Sequence, residues 1–139
     1  MDFSEQIQEI TAHVNGITRH AATKHNISFA QAQFLLKVPS EGISISELSN
    51  LIGIDISTMS RNVNKLELLK LVERKRDSHD GRTFRLSLTP SGITIVDLLF
   101  AEIDACSTAI LSTIPLDLQG RIGDVLEQLN WAFIKHREK

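Results

Sequence analysis

Residues Ser44–Thr89 read SISELSNLIGIDISTMSRNVNKLELLKLVERKRDSHDGRTFRLSLT, and the order of elements in this stretch decides the fold. Ser44 with Glu47 three residues on is a capping-box pattern. It opens a helix through about Ile52, with Ile45, Leu48, Leu51 and Ile52 inward. Gly53 supplies the left-handed turn that commonly ends a helix. Asp55 caps the next helix, where Ile56, Met59, Val63 and Leu66 recur on the buried side. After Leu71-Val72 the period changes from helical to two, giving strands at 72–76 and 84–88 with Leu86 and Leu88 inward. Asp77 to Thr83 is the polar loop between them, with Gly81 at its tip. Two capped helices across a Gly-containing turn, followed by a ribbon, make a winged helix-turn-helix. That shape places one helix in a DNA major groove.

Working outward, residues 3–25 carry Phe3, Ile7, Ile10, Val14, Ile17 and Ala21 at alternating steps of four and three. This is a heptad seam, suited to packing on another long helix of the same chain or a second copy. Its end falls near Lys24-His25-Asn26, where Asn tolerates a left-handed cap. Ser28 and Gln31 open a second helix with Phe29, Ala32, Leu35, Leu36 and Val38 as its apolar face, stopped by Pro39. Ser40-Glu41-Gly42 is a turn, and Ile43 is placed to add a short edge strand. Thr89-Pro90 begins a long helix to about Thr113, with Ile93, Val96, Leu99, Phe100, Ile103, Ala109 and Ile110 as its stripe. Beyond Pro115 a last helix from about Leu118 carries Ile122, Val125, Leu129, Ala132 and Phe133 near heptad spacing. The chain is therefore mainly α with a small β-hairpin wing, an α+β class read as one domain over residues 1–139.

Composition narrows the function. At 139 residues, 42% hydrophobic and 23% charged, the chain is long enough for a real core. It has no apolar run of membrane length and no signal-peptide pattern at its start, so the expected compartment is the cytosol. A single cysteine excludes an internal disulfide framework and a Cys-x-x-Cys metal site. The net charge of −2 hides an asymmetry: eight basic and four acidic residues between Arg61 and Arg85 leave that window at +4, and the remainder at −6. A basic window on an acidic body suits an oriented approach to a polyanion.

A DNA reader needs contacts to phosphates and to base edges. On the helix after Asp55, the hydroxyls of Ser57, Thr58 and Ser60 permit close approach, Arg61 can chelate a guanine edge, and Asn64 and Lys65 fall near phosphates. Arg74 on the first strand adds to the basic face. In the loop, Arg82 beside Gly81 is placed to enter a narrow minor groove, and Asp80 to hold a neighbouring guanidinium. No phosphate-binding glycine loop, nucleophile elbow or His-Glu metal motif is present, which argues against an enzyme and calls for no cofactor.

The run STMSRNVNKLE…LVERKRDSHDGRTFRLSLTPSG resembles the multiple-antibiotic-resistance regulator (MarR) family. Ser57-Thr58-x-Ser60-Arg61 matches its recognition helix, Asp80-x-Arg82 its wing, and Leu88-Thr89-x-x-Gly92 the start of the helix that follows. The resemblance is specific between about Ile43 and Gly92. It implies a homodimer, with residues 1–27 and 93–139 as dimerisation helices and 28–92 as the DNA-binding lobe, its wing at 72–88. It further implies binding to a pseudo-palindromic operator and repression relieved by a small-molecule effector. Arg19, His20, Lys24, Gln31 and Phe34 are placed to line such an effector pocket. Lys70 departs from the pattern, standing where the family commonly has a glycine that ends the recognition helix.

Other readings of the same fold use other residues. A metal sensor would draw on His13, His20, His25 and His136, but the spacing of seven between His13 and His20 is too long for one ion, so no metal is expected. A redox sensor would use Cys106, which the spacing reads instead as a buried structural thiol without a nearby cation. A winged helix devoted to protein contacts would bind duplex DNA without salt dependence, if at all.

Overall fold

The computed structural model describes residues 1–139, as six helices and one hairpin: α1 (Phe3–Lys24), α2 (Phe29–Lys37), α3 (Ile45–Ile52), α4 (Ile56–Leu68), β1 (Val72–Arg76), β2 (Phe84–Leu88), α5 (Pro90–Ser112) and α6 (Leu116–Arg137). The chain divides into two units, Met1–Ile103 and Asp104–Lys139. No helix is long and apolar enough to cross a membrane.

The caps decide where helices begin. Asp2 accepts the Glu5 N–H at 2.9 Å while Glu5 accepts that of Asp2 at 2.8 Å, fixing α1 one residue after Asp2. Ser28 and Gln31 form the same reciprocal pair before α2. At α3 only half of the expected box is made: the Glu47 N–H donates to the Ser44 hydroxyl at 3.1 Å. Asp55 caps α4 through the Thr58 N–H at 2.8 Å.

Three helix ends turn left-handed, and two do so without glycine. Gly53 has φ 79°, whereas Asn26 has φ 58° and Lys70 φ 59°. Around Lys70 the Leu71 N–H reaches the Leu66 carbonyl at 3.0 Å and the Lys70 N–H that of Glu67 at 2.9 Å, the paired bonds of a Schellman end. A lysine Cβ is strained there. Lys70→Gly is therefore expected to stabilise the protein by about 1 kcal/mol, read as a higher urea midpoint at constant m-value. An unchanged or lower midpoint would show that the strain is relieved elsewhere.

In the first unit, Phe34, Leu35, Val38, Ile43, Leu48, Met59, Val63, Leu66, Leu71, Val72 and Leu86 form the main core cluster, which ties α2, α3 and α4 to the hairpin. Ala21, Ala22, Ala32 and Leu99 form a smaller cluster whose small side chains let α1 and α2 come close. The hairpin pairs Val72 with Leu88 and Arg74 with Leu86. Ile43 adds the expected edge bridge to Leu86, with N–H···O distances of 3.0 and 2.7 Å in the two directions.

Several inward assignments change. Leu51 and Ile56 face outward, 41% and 56% exposed, because each lies at the edge of its helix's apolar arc and nothing in the chain covers that edge. Phe34 turns inward instead. Of the first seam, Ala21 is buried, while Phe3, Ile10 and Val14 stand exposed on α1. Cys106 is exposed, not buried as its spacing suggested, since the face of α5 that carries it is uncovered in the single chain. In the second unit α6 buries none of its residues, and Val125, Leu126, Trp131 and Phe133 are each more than half exposed.

The junction from α4 to α5 is a tight knot. The Thr89 hydroxyl donates to the Lys70 carbonyl at 2.6 Å and accepts the Gly92 N–H at 3.0 Å. The Thr89 N–H donates to the Leu71 carbonyl at 3.1 Å. A Cβ on Gly92 would sit 2.0 Å from that same carbonyl oxygen. The Leu-Thr-x-x-Gly pattern thus has a steric reason: α5 starts against the backbone that ends α4.

Candidate nucleic-acid interface

Helix α4 displays the side chains singled out from its sequence on the face opposite Met59, Val63 and Leu66. Ser57, Arg61, Asn64 and Lys65 are exposed, and Ser60 and Thr58 are half-buried. Thr58 is less free than expected. Its N–H and its hydroxyl both donate to the Asp55 carboxylate, the latter at 2.7 Å, and its oxygen lies 3.5 Å from a terminal nitrogen of Arg61. These Thr58 bonds hold the Asp55 carboxyl below the usual carboxylate range, with a smaller contribution from the Arg61 charge. The start of α4 is consequently a fixed point from which Ser57 and Arg61 project.

The hairpin stands next to α4. Because strand partners share a face, Arg74 lies on the same side as buried Leu86. From there its guanidinium turns back to α4. Nε donates to Glu67 at 2.7 Å and Nη2 to the Asn64 side-chain oxygen at 2.8 Å. Two of the predicted contact residues, Asn64 and Arg74, are therefore bound to each other.

The loop at the tip is organised by two aspartates. Asp77 accepts the His79 N–H at 2.8 Å and, more weakly, that of Asp80 at 3.3 Å, while its second oxygen lies 3.4 Å from Arg85. The His79 N–H above all pulls the Asp77 carboxyl below its ordinary value. A depressed carboxyl stabilises the turn fully above pH 3.8 and loses that contribution only as pH falls through its lower folded value. Asp80 accepts both the backbone N–H and the Nε of Arg82, at 3.1 and 3.3 Å. The Arg82 side chain is 92% exposed, an outward cation oriented at its base.

Asp77 and Arg85 were missed by sequence reasoning, although both build the site. Arg85 joins the loop to the body by donating to the Gly42 carbonyl at 2.7 Å. The only local hint was an arginine opposite Lys75 on the outward side of a ribbon.

The five residues considered for an effector pocket do not converge. Phe34 is 2% exposed within the core, so its ring lines no opening. Gln31 is engaged in the cap of α2. Arg19 lies over the Phe29 ring, 4.5 Å from its centroid, and Lys24 faces Glu102 at 3.7 Å. His20 is exposed. A separate open cavity, about 270 Å³, is lined by Thr18, Gln33, Leu36, Lys37, Leu51 and Ile52. The histidines are dispersed: His13 lies 3.9 Å from Glu9, and His25 lies 3.5 Å from Glu102.

Comparison with known proteins agrees with this geometry. The MarR family profile matches residues 25–83. The HTH-type transcriptional regulator SarZ of Staphylococcus haemolyticus is 30% identical over 82 residues, which cover 58% of this chain and 56% of that protein. The match thus spans little more than half the length of that relative. Among solved structures, a S. aureus MepR–DNA complex superposes with a TM-score of 0.74 at 18% identity, over 95% of this chain and 98% of that one. CouR of Rhodococcus jostii, bound to p-coumaroyl-CoA, superposes at 0.75 with 22% identity, over 92% and 91%. The chain therefore has the winged helix-turn-helix fold of these solved structures, and its residues 25–83, which carry the Ser-Thr-x-Ser-Arg helix and the Asp-x-Arg wing, are similar to the MarR family.

Proposed function

We propose that this chain is a homodimeric, cytoplasmic repressor that binds a pseudo-palindromic operator and leaves it when a small molecule binds. The observation that carries the DNA reading is the pairing of a rigidly capped α4, with Ser57, Ser60, Arg61 and Lys65 outward, and a wing whose Arg82 is 92% exposed. Arg61 is assigned to a base edge, the hydroxyls and Lys65 to close approach and phosphates, and Arg82 to the minor groove. The likeness to MepR, solved with DNA, supports the same use of this fold.

Residues 1–27 and 93–139 serve as dimerisation helices in this reading, and 28–92 as the DNA-binding lobe. The exposed apolar side chains of α1 and α6 support a second copy, since isolated helices leave such seams in water only at a cost. Two lobes then meet half-sites about one helical turn apart, roughly 34–36 Å. The likeness to CouR, solved with a coenzyme A thioester, supports effector release.

The test is binding to a duplex that the wild-type chain selects from a random-sequence pool. Affinity is expected to fall steeply between low and physiological salt. Arg61→Ala should cost about 1–3 kcal/mol per contacted half-site and relax base preference. Arg82→Ala should weaken binding most where the minor groove is narrow and A·T-rich. Salt-insensitive association with no sequence selected would overturn the operator reading.

A further inference from the structure

Arg74 carries charge on a strand face whose root turns inward and whose tip, at Arg76 and Phe84, is exposed. Its neighbour two residues back, Val72, is 3% exposed, and its cross-strand partner Leu86 is 1% exposed. An arginine at such a position needs acceptors, and it finds both on α4. Asn64 and Glu67 are three residues apart, hence on one strip of the helix, and they receive Nη2 and Nε at 2.8 and 2.7 Å. The Arg74 and Glu67 side chains are both only about one-third exposed, 35% and 34%, so the ion pair is partly shielded from water. A planar guanidinium held through two of its nitrogens fixes direction as well as distance.

We infer that Arg74 is a positioning residue for DNA recognition: it clamps the wing to α4, so that the side chains meant for the major groove and the one meant for the minor groove arrive together. The inference rests on the DNA reading above and gives it an internal part. Besides its apolar packing in the core, the hairpin has two other polar attachments, the Ile43–Leu86 bridge and the Arg85–Gly42 bond, and both hold it to the segment before α3. Among these side-chain and bridge contacts, only Arg74 ties it to the exposed face of α4. Asn64 and Glu67 act here as acceptors for the wing, and in that state the Asn64 oxygen is occupied.

The clamp and a direct phosphate contact make opposite demands. A clamp needs the fork, while a phosphate contact needs mainly the charge. The experiment uses the full chain and the duplex selected by the wild type, with Kd measured across a potassium chloride series. The variants are Arg74→Ala, Arg74→Lys, Asn64→Ala and the double variant Asn64→Ala/Arg74→Ala. The clamp predicts that Arg74→Ala and Arg74→Lys each weaken binding about 10-fold with the wild-type salt slope. It also predicts that Asn64→Ala weakens binding several-fold, and that the double variant is no worse than Arg74→Ala alone. A second readout needs no DNA: amide exchange in residues 72–88 should quicken in Arg74→Ala while α3 keeps its protection.

The inference is overturned if Arg74→Lys keeps wild-type affinity, if Arg74→Ala lowers the salt slope by about one for each phosphate left without its arginine, or if the two substitutions add. Unchanged exchange in the hairpin of Arg74→Ala overturns it as well. A wild-type chain that selects and binds no duplex sinks the DNA reading itself, whatever the exchange data show about the hairpin.

Discussion

Gly92→Ala is expected to destabilise this protein by about 3 kcal/mol or more, the upper end of what overpacking usually costs. The alanine Cβ would lie 2.0 Å from the Leu71 carbonyl oxygen and 3.0 Å from its carbon. Neither atom can swing away as a side-chain end would. The oxygen is also held by the Thr89 N–H, and Thr89 in turn holds the Lys70 carbonyl and the Gly92 N–H. Relief requires the start of α5 to move off the end of α4, breaking those bonds together. The measurement is chemical denaturation, with a thermal midpoint lowered by roughly 10 °C as the companion sign. A loss under about 1 kcal/mol would mean that α5 can pivot freely at its first turn, and the knot would not be the joint described above.

Val125→Asp tests the proposed dimer: it should leave the fold of one copy intact and abolish pairing through α6. Val125 is 61% exposed on α6 and shares an apolar hollow with Leu118, Ile122 and Leu126. In a single chain, an aspartate there changes little, because the site is already wet. In a dimer built on this seam it would bury a carboxylate in each copy without a partner, which costs several kcal/mol. Sedimentation should report monomers at concentrations where the wild type is dimeric. Affinity for the selected duplex should then drop at least about 100-fold, since each half-site must be found independently. A variant that sediments as a dimer would remove this face of α6 from the interface.

Much of the fold was legible because it is written locally. Asp55, Ser28 and Gly53 each act within a few residues, so capping and left-handed ends could be read from spacing alone. The exchange of roles between Phe34, which is buried, and Leu51 and Ile56, which are not, was illegible for the opposite reason. A helical period shows which residues share an arc, but not which part of the arc another element covers. Among the candidate contact residues, Ser57, Arg61, Lys65 and Arg82 project as expected. Asn64 and Arg74 do not stand alone, because their bond joins positions ten apart on different elements. No periodicity carries that information. Cys106 fails similarly: its apolar neighbours along the chain said nothing of which side of α5 would remain open.

The hairpin is fastened to the body along its strands, while its tip is shaped mainly by bonds within the loop, a difference that matters for engineering. Its root is held by Ile43 and by Arg85 on Gly42, whereas its tip folds on itself through Asp77 and Asp80. The residues from Ser78 to Gly81 therefore form an exchangeable cassette. They can be lengthened, shortened or replaced while the root keeps the strand register, which makes the tip the natural place to graft a different reach into a groove.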